Sequence, residues 1–176
     1  MVVLDGERVR LRPWRAGDRP GFRAMGADPK VMEFMPSLLS AEAADDLAGR
    51  IAADLDRRGW GLWALEVPGK TEFGGFVGLK PVPEDLPFVP AVEVAWRLDP
   101  MLWGQGYTTE AARLALDHGF AVLKLREIVS FTALPNLRSQ AVMRRLGMTA
   151  AGEFEHSALP PGHWLRRHVL YRKNAP

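Results

Sequence analysis

The chain has 176 residues, 47% of them hydrophobic and 25% charged, and its 23 Lys and Arg against 21 Asp and Glu give a net charge of +2. This length and composition predict one globular domain and exclude a disordered chain, and the near balance of charge argues against a protein that binds nucleic acid through bulk positive charge. The absence of cysteine excludes disulfides, thiolate zinc sites and a covalent cysteine intermediate.

The N-terminal third of the chain predicts a strand followed by two helices. Apolar and basic residues alternate over 8–14 (RVRLRPW), which is typical of a strand with one wet face. A short helix is expected over 18–25. Ser40 is placed to cap a longer amphipathic helix over 41–58, which Gly59 ends.

The middle of the chain predicts a hairpin and a further strand. Apolar runs at 60–67 and 73–79 flank the turn sequence PGKTE. Residues 80–90 contain four prolines, and we interpret them as a stiff overhanging loop. A strand follows over 91–98 (AVEVAWRL).

The last part of the chain alternates helices with strands. We expect helices over 108–123 and 136–146 and strands over 128–133, 149–155 and 168–172. Hairpins in the middle and a βαβ pattern late in the chain predict an α/β fold with a mixed sheet covered by helices.

Other patterns concern metals, membranes and the cell compartment. The four histidines lack the HExxH and H-x-H spacings of metal sites, so we expect no metal. The charged N-terminal sequence MVVLDGERVR leaves no room for the apolar region of a signal peptide, and no apolar run approaches the roughly 20 residues of a membrane span. The basic clusters are short and scattered. We therefore expect a cytoplasmic protein that binds neither membrane nor nucleic acid.

The most informative segment is 94–112 (VAWRLDPMLWGQGYTTEAA), in which a strand leads through Gly104 and Gly106 into a helix. Such a turn directs several backbone N–H groups, and the positive end of the helix dipole, at one point. The segment therefore predicts a phosphate site, with a plain strand-to-helix turn as the alternative.

A second segment, 132–148 (TALPNLRSQAVMRRLGM), places Asn136 at a helix start and Ser139 one turn later. Taken alone, Asn136 would be a helix cap and Ser139 a surface serine. The segment lies one βαβ step after the glycine loop, so both helices are able to face the same edge of the sheet.

Taken in order, RVRLRPW, VEVAWRL, WGQGYTTEAA and NLRSQAVMRRLGM resemble the GCN5-related N-acetyltransferases, specifically the branch that acetylates ribosomal-protein N-termini. The resemblance spans about residues 7–172 and implies a single N-acetyltransferase domain over 1–176. It implies acetyl-CoA as co-substrate and the acyl-CoA N-acyltransferase fold. In that fold a central sheet of about seven strands is splayed open where the pantetheine enters.

The resemblance also implies which residues hold acetyl-CoA. Backbone groups at 96–98 would bind the pantetheine and the loop 103–108 would wrap the pyrophosphate. Asn136 would bind the pantetheine arm and Ser139 would reach the thioester sulfur. The full set is Trp96, Arg97, Leu98, Trp103, Gly104, Gln105, Gly106, Tyr107, Thr108, Asn136, Ser139 and Arg145.

Some positions leave alternatives or depart from the family pattern. Arg144 or Arg145 would approach the nucleotide phosphates. Trp103, where the family usually has Gln or Arg, is common in this branch. Thr108 replaces a usual Gly or Ala. Its methyl and hydroxyl would lie close to the phosphates, so the loop would wrap them less tightly than the family pattern implies.

The family reaction is direct attack of an amine on the thioester, which calls for a base. Glu93 is the first candidate because Glu93, Ala95 and Arg97 share one face of a strand, and a carboxylate in such an apolar strand has a raised pKa that suits proton transfer. The alternative is a solvent-side glutamate paired with Arg97.

Other side chains are candidates for the remaining proton transfers. Ser139 is the candidate acid that protonates the leaving thiolate, and Tyr171 is able to share that task or to be a core tyrosine. His168 and Glu155 are reserve bases.

The acceptor is the least determined part of the prediction. By the resemblance, the residues that line its side of the cleft are Met32, Phe34, Met35, Trp60 and Trp63, with core packing as the alternative. The segments 80–90 and 156–166 would either cover the same groove or mediate a homodimer. A protein N-terminus and a small amine both fit. A non-catalytic acyl-CoA-binding or sensor module is the rival interpretation.

Overall fold

The structure, a computed structural model, describes residues 2–176 and is built on one sheet. Its strands are β1 (Leu4–Asp5), β2 (Arg10–Arg12), β3 (Leu62–Glu66), β4 (Gly75–Pro81), β5 (Val92–Leu98), β6 (Glu127–Ala133), β7 (Thr149–Glu155) and β8 (Arg167–Asn174). Its helices are α1 (Arg19–Ala27), α2 (Ala41–Arg58), α3 (Tyr107–Ala121) and α4 (Leu137–Arg145). The strand order is β1-β2-β3-β4-β5-β6-β8-β7.

The predicted α/β architecture is confirmed, with eight strands rather than about seven. The extra strand, β1, has two residues and pairs with β2, too short to leave a periodic signal in the sequence. Pairing in β2 stops before Pro13, which lacks the N–H that a ladder needs. Among the helices of residues 2–176, none is long and apolar enough to cross a membrane.

Helix α2 shows why the sequence pattern predicted its bounds so well. Ser40 Oγ accepts a hydrogen bond from the Ala43 N–H at 3.1 Å, which caps the first turn. Gly59 ends the helix in the left-handed region at φ 76°, where a Cβ would be strained. Ala44 and Ile51 lie on its buried face, so one apolar stripe seats the helix on the sheet.

The helices cover the two faces of the sheet. On one face the small side chains of α3, such as Ala111 and Ala115, let this helix pack closely over Val77 of β4 and Val94 of β5. On the other face α1 and α2 enclose an aromatic cluster around Phe76 of β4. Residues alternate between these faces along β5, so side chains two apart lie together.

The sheet opens between β5 and β6. These parallel strands, joined through α3, pair at Glu93 and Val129 alone, whereas β4 and β5 pair along seven consecutive positions. Next to that pair, Ser130 Oγ donates a hydrogen bond to the Val94 carbonyl at 2.9 Å. Beyond it the strands diverge, and the backbone of β5 toward Leu98 faces an opening in place of a neighbouring strand.

Candidate functional site

The opening in the sheet is part of a cleft of about 910 Å³. Its walls come from the diverging strands β5 and β6, the first turns of α3 and α4, the inner face of α2 and the loop before α2. The cleft therefore has two ends: one at the openings of α3 and α4, and one beneath α2.

The first helix opening is the loop 103–108. Gly104 and Gly106 adopt φ values of 72° and 83°, and Gly106 is the N-cap of α3, so the helix starts at Tyr107, one residue before the prediction. Trp103, Gly104 and Thr108 line the cleft. The first-turn N–H groups of α3 lack partners within the helix, which is the geometry that binds anions.

Three predicted members of this loop, Gln105, Gly106 and Tyr107, do not line the cleft, and contacts of Gln105 and Tyr107 hold the loop in place. Gln105 Nε2 donates to the Met101 carbonyl at 2.7 Å, and its Oε1 accepts from Lys70 at 2.6 Å. The Arg8 guanidinium lies 4.9 Å from the centre of the Tyr107 ring and donates to the Gln105 carbonyl at 3.0 Å. These contacts fix the loop from its outer side.

The second helix opening is held by Asn136, the N-cap of α4. Its Oδ1 accepts from the Ser139 N–H at 3.2 Å, and its Nδ2 donates to Thr132 Oγ1 at 2.9 Å and to Ser139 Oγ at 3.1 Å. Asn136 and Ser139 both line the cleft. Because Ser139 Oγ accepts from Asn136, its own hydrogen is free to be donated into the cleft.

The segment 96–98, which the resemblance assigns to the pantetheine, is held in place at Leu98. Trp103 Nε1 donates to the Leu98 carbonyl at 2.9 Å, and the Arg138 guanidinium lies 4.5 Å from the Trp103 ring centre. The side chains of Trp96 and Arg97, like that of Leu98, line the cleft.

The two arginines at the end of α4 have different positions. Arg145 lines the cleft, whereas Arg144 Nη1 donates to the Tyr171 hydroxyl at 3.2 Å. Of the two alternatives, the geometry favours Arg145 as the arginine that reaches a bound phosphate.

Glu93 lies where the strands diverge and is buried, with 5% of its surface exposed. Lys80 Nζ of β4, directly across the strand pair, lies 3.2 Å from Oε2, although that oxygen accepts no well-aligned hydrogen bond within residues 2–176. Burial raises the pKa of Glu93, and Lys80 offsets part of that rise. The alternative interpretation, a solvent-side Glu93 paired with Arg97, does not describe the structure, because Glu93 is buried and its charged partner is Lys80.

The remaining candidate acids and bases are spread over the molecule. Tyr171 is buried below α4, where its hydroxyl donates to Gln140 Oε1 at 3.2 Å, and this geometry favours its interpretation as a core tyrosine. His168 lines the cleft, and burial lowers its pKa. Glu155 pairs with Arg166 at 2.7 Å, away from the cleft.

The predicted acceptor residues divide into two groups. Phe34 and Met35, in the loop before α2, line the cleft. Met32 and Trp63 are buried in the core, and Trp60 packs against it beside Arg58, so these three do not form the cleft wall.

Parts of both predicted covering segments reach the cleft. Lys80 and Pro81 do so from 80–90, and His156 and Leu159 do so from 156–166. Most of the proline loop instead packs its apolar side chains against β6 and β8.

Sequence reasoning missed several side chains that shape the site. Lys80, Arg138, Ser130 and Arg50 line the cleft. Lys80 ends an apolar run as a surface lysine would, and only the register of β4 against β5 places it beside Glu93. Among residues 2–176, no group of three or more His, Cys, Asp and Glu side chains is placed to hold a metal ion.

The comparison with known protein families agrees with the geometry. A family model described as an acetyltransferase (GNAT) domain matches residues 8–149. FsC-acetyl coenzyme A-N(2)-transacetylase of Aspergillus fumigatus is 36% identical over 169 residues, which cover 91% of this chain and 71% of that protein.

Solved structures share the fold over nearly the whole chain. An acetyltransferase of the GNAT family from Bacillus anthracis superposes with a TM-score of 0.82 at 21% identity, covering 98% of both chains. The ribosomal L7/L12 alpha-N-protein acetyltransferase RimL, in complex with coenzyme A, superposes with a TM-score of 0.79 at 17% identity, covering 99% of this chain and 98% of the other.

Proposed function

The chain belongs to the GNAT acetyltransferase family and uses acetyl-CoA to acetylate an amine, and we propose that Glu93 and Ser139 carry this transfer to a primary amine. The observation that carries the proposal is their placement in one cleft, Glu93 buried at the divergence of β5 and β6 and Ser139 at the opening of α4. Family membership favours an enzyme over a non-catalytic binding module.

Acetyl-CoA supplies the activated acetyl group as a thioester. We propose that the first-turn N–H groups of α3, together with Arg145, bind its phosphates, because amides at a positive helix end and a cation both favour negative charge. The open backbone edge of β5 and the Asn136 side chain would bind its amide-containing arm, because both line the cleft where β5 and β6 diverge. The splayed sheet fits a chain of that kind, since a strand edge offers unused donors and acceptors.

The role of the base depends on the acceptor. An α-amine, with a pKa of about 8, costs only about 1 kcal/mol to deprotonate at pH 7, whereas a lysine amine costs about 5 kcal/mol. Glu93, whose pKa burial raises, is matched to accept a proton from an amine that is already close to neutral. The charge of Lys80 offsets part of that rise, which favours the ionised form that a base needs.

In the reaction, the amine nitrogen forms a bond to the acetyl carbon while the bond from that carbon to sulfur breaks. Glu93 takes the proton that the amine loses, directly or through one water. Ser139 Oγ donates its hydrogen to the leaving sulfur. After the transfer, Ser139 takes up a proton from solvent, and Glu93 releases to solvent the proton that it accepted from the amine. No acyl-enzyme is formed.

The acceptor enters beneath α2, where Phe34 and Met35 line the cleft. A primary amine there reaches Glu93 from the side opposite the helix openings. The cytoplasmic location and a homodimer stay predictions from the sequence.

An amine panel tests the proposal. The purified protein is mixed with acetyl-CoA and free amino acids, amino-acid amides, short peptides or polyamines, and the release of the CoA thiol is followed. We expect turnover with at least one primary amine and none with tertiary amines of similar shape. Binding of acetyl-CoA without thiol release from any amine would refute the catalytic part of the proposal.

A further inference from the structure

Arg97 carries a charge that the protein itself does not neutralise. Its Nη1 is buried and has no hydrogen-bond partner within residues 2–176. Burial lowers its pKa to about 10, and no charged neighbour contributes to that shift. Since an isolated buried charge is costly, a guanidinium in this state is a candidate for binding an anion from outside the chain.

The guanidinium lies on the face of the sheet that α1 and α2 cover, where we propose that the acceptor enters. Arg97 shares a face of β5 with Glu93 and pairs across the strands with Phe76, whose ring centre is 5.5 Å away. Phe76 belongs to the aromatic cluster enclosed by α1 and α2. The loop 103–108, which offers amides to the phosphates of the donor, opens α3, and α3 packs on the opposite face of the sheet.

The part of the cleft formed by α2, the loop before it and the facing residues of β4 and β5 has an excess of positive charge. The cations that line it are Lys30, Arg50, Arg58, Lys80 and Arg97, against the carboxylates Asp54 and Glu93. Asp54 pairs with Arg57 and Arg58, and Glu93 pairs with Lys80, so neither is free for Arg97. Such a field attracts an anionic group and repels a polyamine.

We propose that Arg97 binds a carboxylate of the acceptor, so that the substrate is a small primary amine that also bears a carboxylate. This inference rests on the proposed function, because it places the amine at Glu93. The two residues are four positions apart on one face, about 13 Å between Cα atoms, and their side chains line the same cleft. The planar guanidinium matches a carboxylate with two parallel hydrogen bonds.

The apolar lining narrows the class of acceptor further. Leu47 and Ile51 of α2, together with Phe34 and Met35, lie around the charged groups. An amino acid with an apolar side chain would place its amine at Glu93, its carboxylate at Arg97 and its side chain against these apolar residues.

Matched substrates test the carboxylate. Phenylalanine and methionine are compared with phenylalaninamide and methioninamide, which keep the amine and lose the negative charge. We expect kcat/KM to favour the acids by about 10- to 100-fold, the value of a charge-assisted hydrogen bond in this setting. Arg97→Met removes that preference and Arg97→Lys retains part of it. Arg113→Met, an exposed arginine of α3 outside the cleft, makes the same change in net charge and leaves the preference intact.

The outcomes separate this inference from the proposed function. Equal turnover of acids and amides overturns the role of Arg97 while the transfer stands. If no amine of the panel is acetylated, the carboxylate site is tested by binding alone. Calorimetry then measures whether 3-phenylpropionate, a carboxylate without an amine, binds to the CoA-loaded protein. Binding that is lost in Arg97→Met and kept in Arg113→Met supports the carboxylate site, whereas absent binding, or equal binding in all three proteins, overturns it.

Two further measurements on Arg97→Met show whether the guanidinium binds the acceptor or acetyl-CoA. Arg97→Met is expected to raise the melting temperature of the free protein, because it removes a buried charge without a partner, and to keep the stabilisation by acetyl-CoA. Loss of that stabilisation would assign the guanidinium to the donor and overturn the proposal.

Discussion

Glu93 and Arg97 are charges of opposite sign on one face of β5, yet they do not pair. Glu93 pairs with Lys80 on the neighbouring strand, and Arg97 lies over the Phe76 ring. Burying either group costs stability that ordinary packing residues would not cost. Both line the cleft, so the cost is concentrated where substrates are expected to bind.

Replacing the proposed base should slow the reaction more than it weakens donor binding. Glu93→Gln keeps the shape of the side chain and removes its ability to accept a proton, so we expect kcat to fall by about 10²- to 10⁴-fold. Stabilisation by acetyl-CoA should change little. Glu153→Gln, which removes an exposed carboxylate of β7 paired with Arg167, is the control. An unchanged rate in Glu93→Gln would move the base to His168.

The same substitution should change how stability depends on pH. Below the ordinary pKa of a glutamate, folded and unfolded chains both carry the neutral carboxyl, and burial costs least. As the pH rises through the raised pKa of Glu93, the folded state binds more protons than the unfolded state, and stability is lost.

We therefore expect Glu93→Gln to be more stable than the wild type at neutral pH, with the difference shrinking as the pH falls. Urea unfolding at several pH values measures it. A difference that is constant across pH would contradict a raised pKa.

At the level of single residues, the sequence predicts what depends on strand alternation. Alternation along β5 placed Glu93 on the face of Arg97, and the structure puts both in the cleft. Alternation does not reveal which residues lie opposite on the next strand, so Lys80 was missed. Nor does it separate a buried hydroxyl from one that reaches a cleft, which is why Tyr171 remained a candidate acid.

At the scale of secondary structure, local chemistry determines where the two helix openings lie. Asn136 is the N-cap of α4, at the helix start that the sequence predicts, and the glycine loop leads into α3, which begins one residue before the predicted position, with Gly106 as its N-cap. Helix α2 was predictable for the same reason, because its caps are local. The two-residue strand β1 was not, since it exists through pairing with β2.

A substitution in the glycine loop tests whether the opening of α3 binds the donor. Gly106 has a φ of 83°, and a Cβ there would lie 3.2 Å from Arg8 Nη2, so Gly106→Val should distort the loop and remove the stabilisation by acetyl-CoA. Gly162, with a φ of 81°, lies between β7 and β8 and not at the opening of α3, so Gly162→Val makes the same backbone change as a control. Equal stabilisation of both variants by acetyl-CoA would mean that the loop is only a turn.

At the scale of the molecule, the cleft interrupts the sheet between two parts of the fold. Strands β1–β5 pair in one continuous antiparallel series, and β6–β8 form another, with Glu93 and Val129 as the single paired position between them. Helix α3 connects the two parts in the chain and packs against both. A ligand that binds β5 and α4 together should therefore stabilise the whole chain as well as its own site.

We expect acetyl-CoA at 100 times its dissociation constant to add about 2.7 kcal/mol to the stability, which raises the melting temperature of a domain of this size by about 5–10 °C. Hydrogen exchange should show protection in the first turns of both α3 and α4, since a donor that bridges the opening restricts both parts of the sheet. Adenosine diphosphate, which contains the pyrophosphate without the thioester arm, should protect α3 alone. Protection by acetyl-CoA confined to α3 would place the arm outside the opening between β5 and β6, and the bridging role would then be wrong.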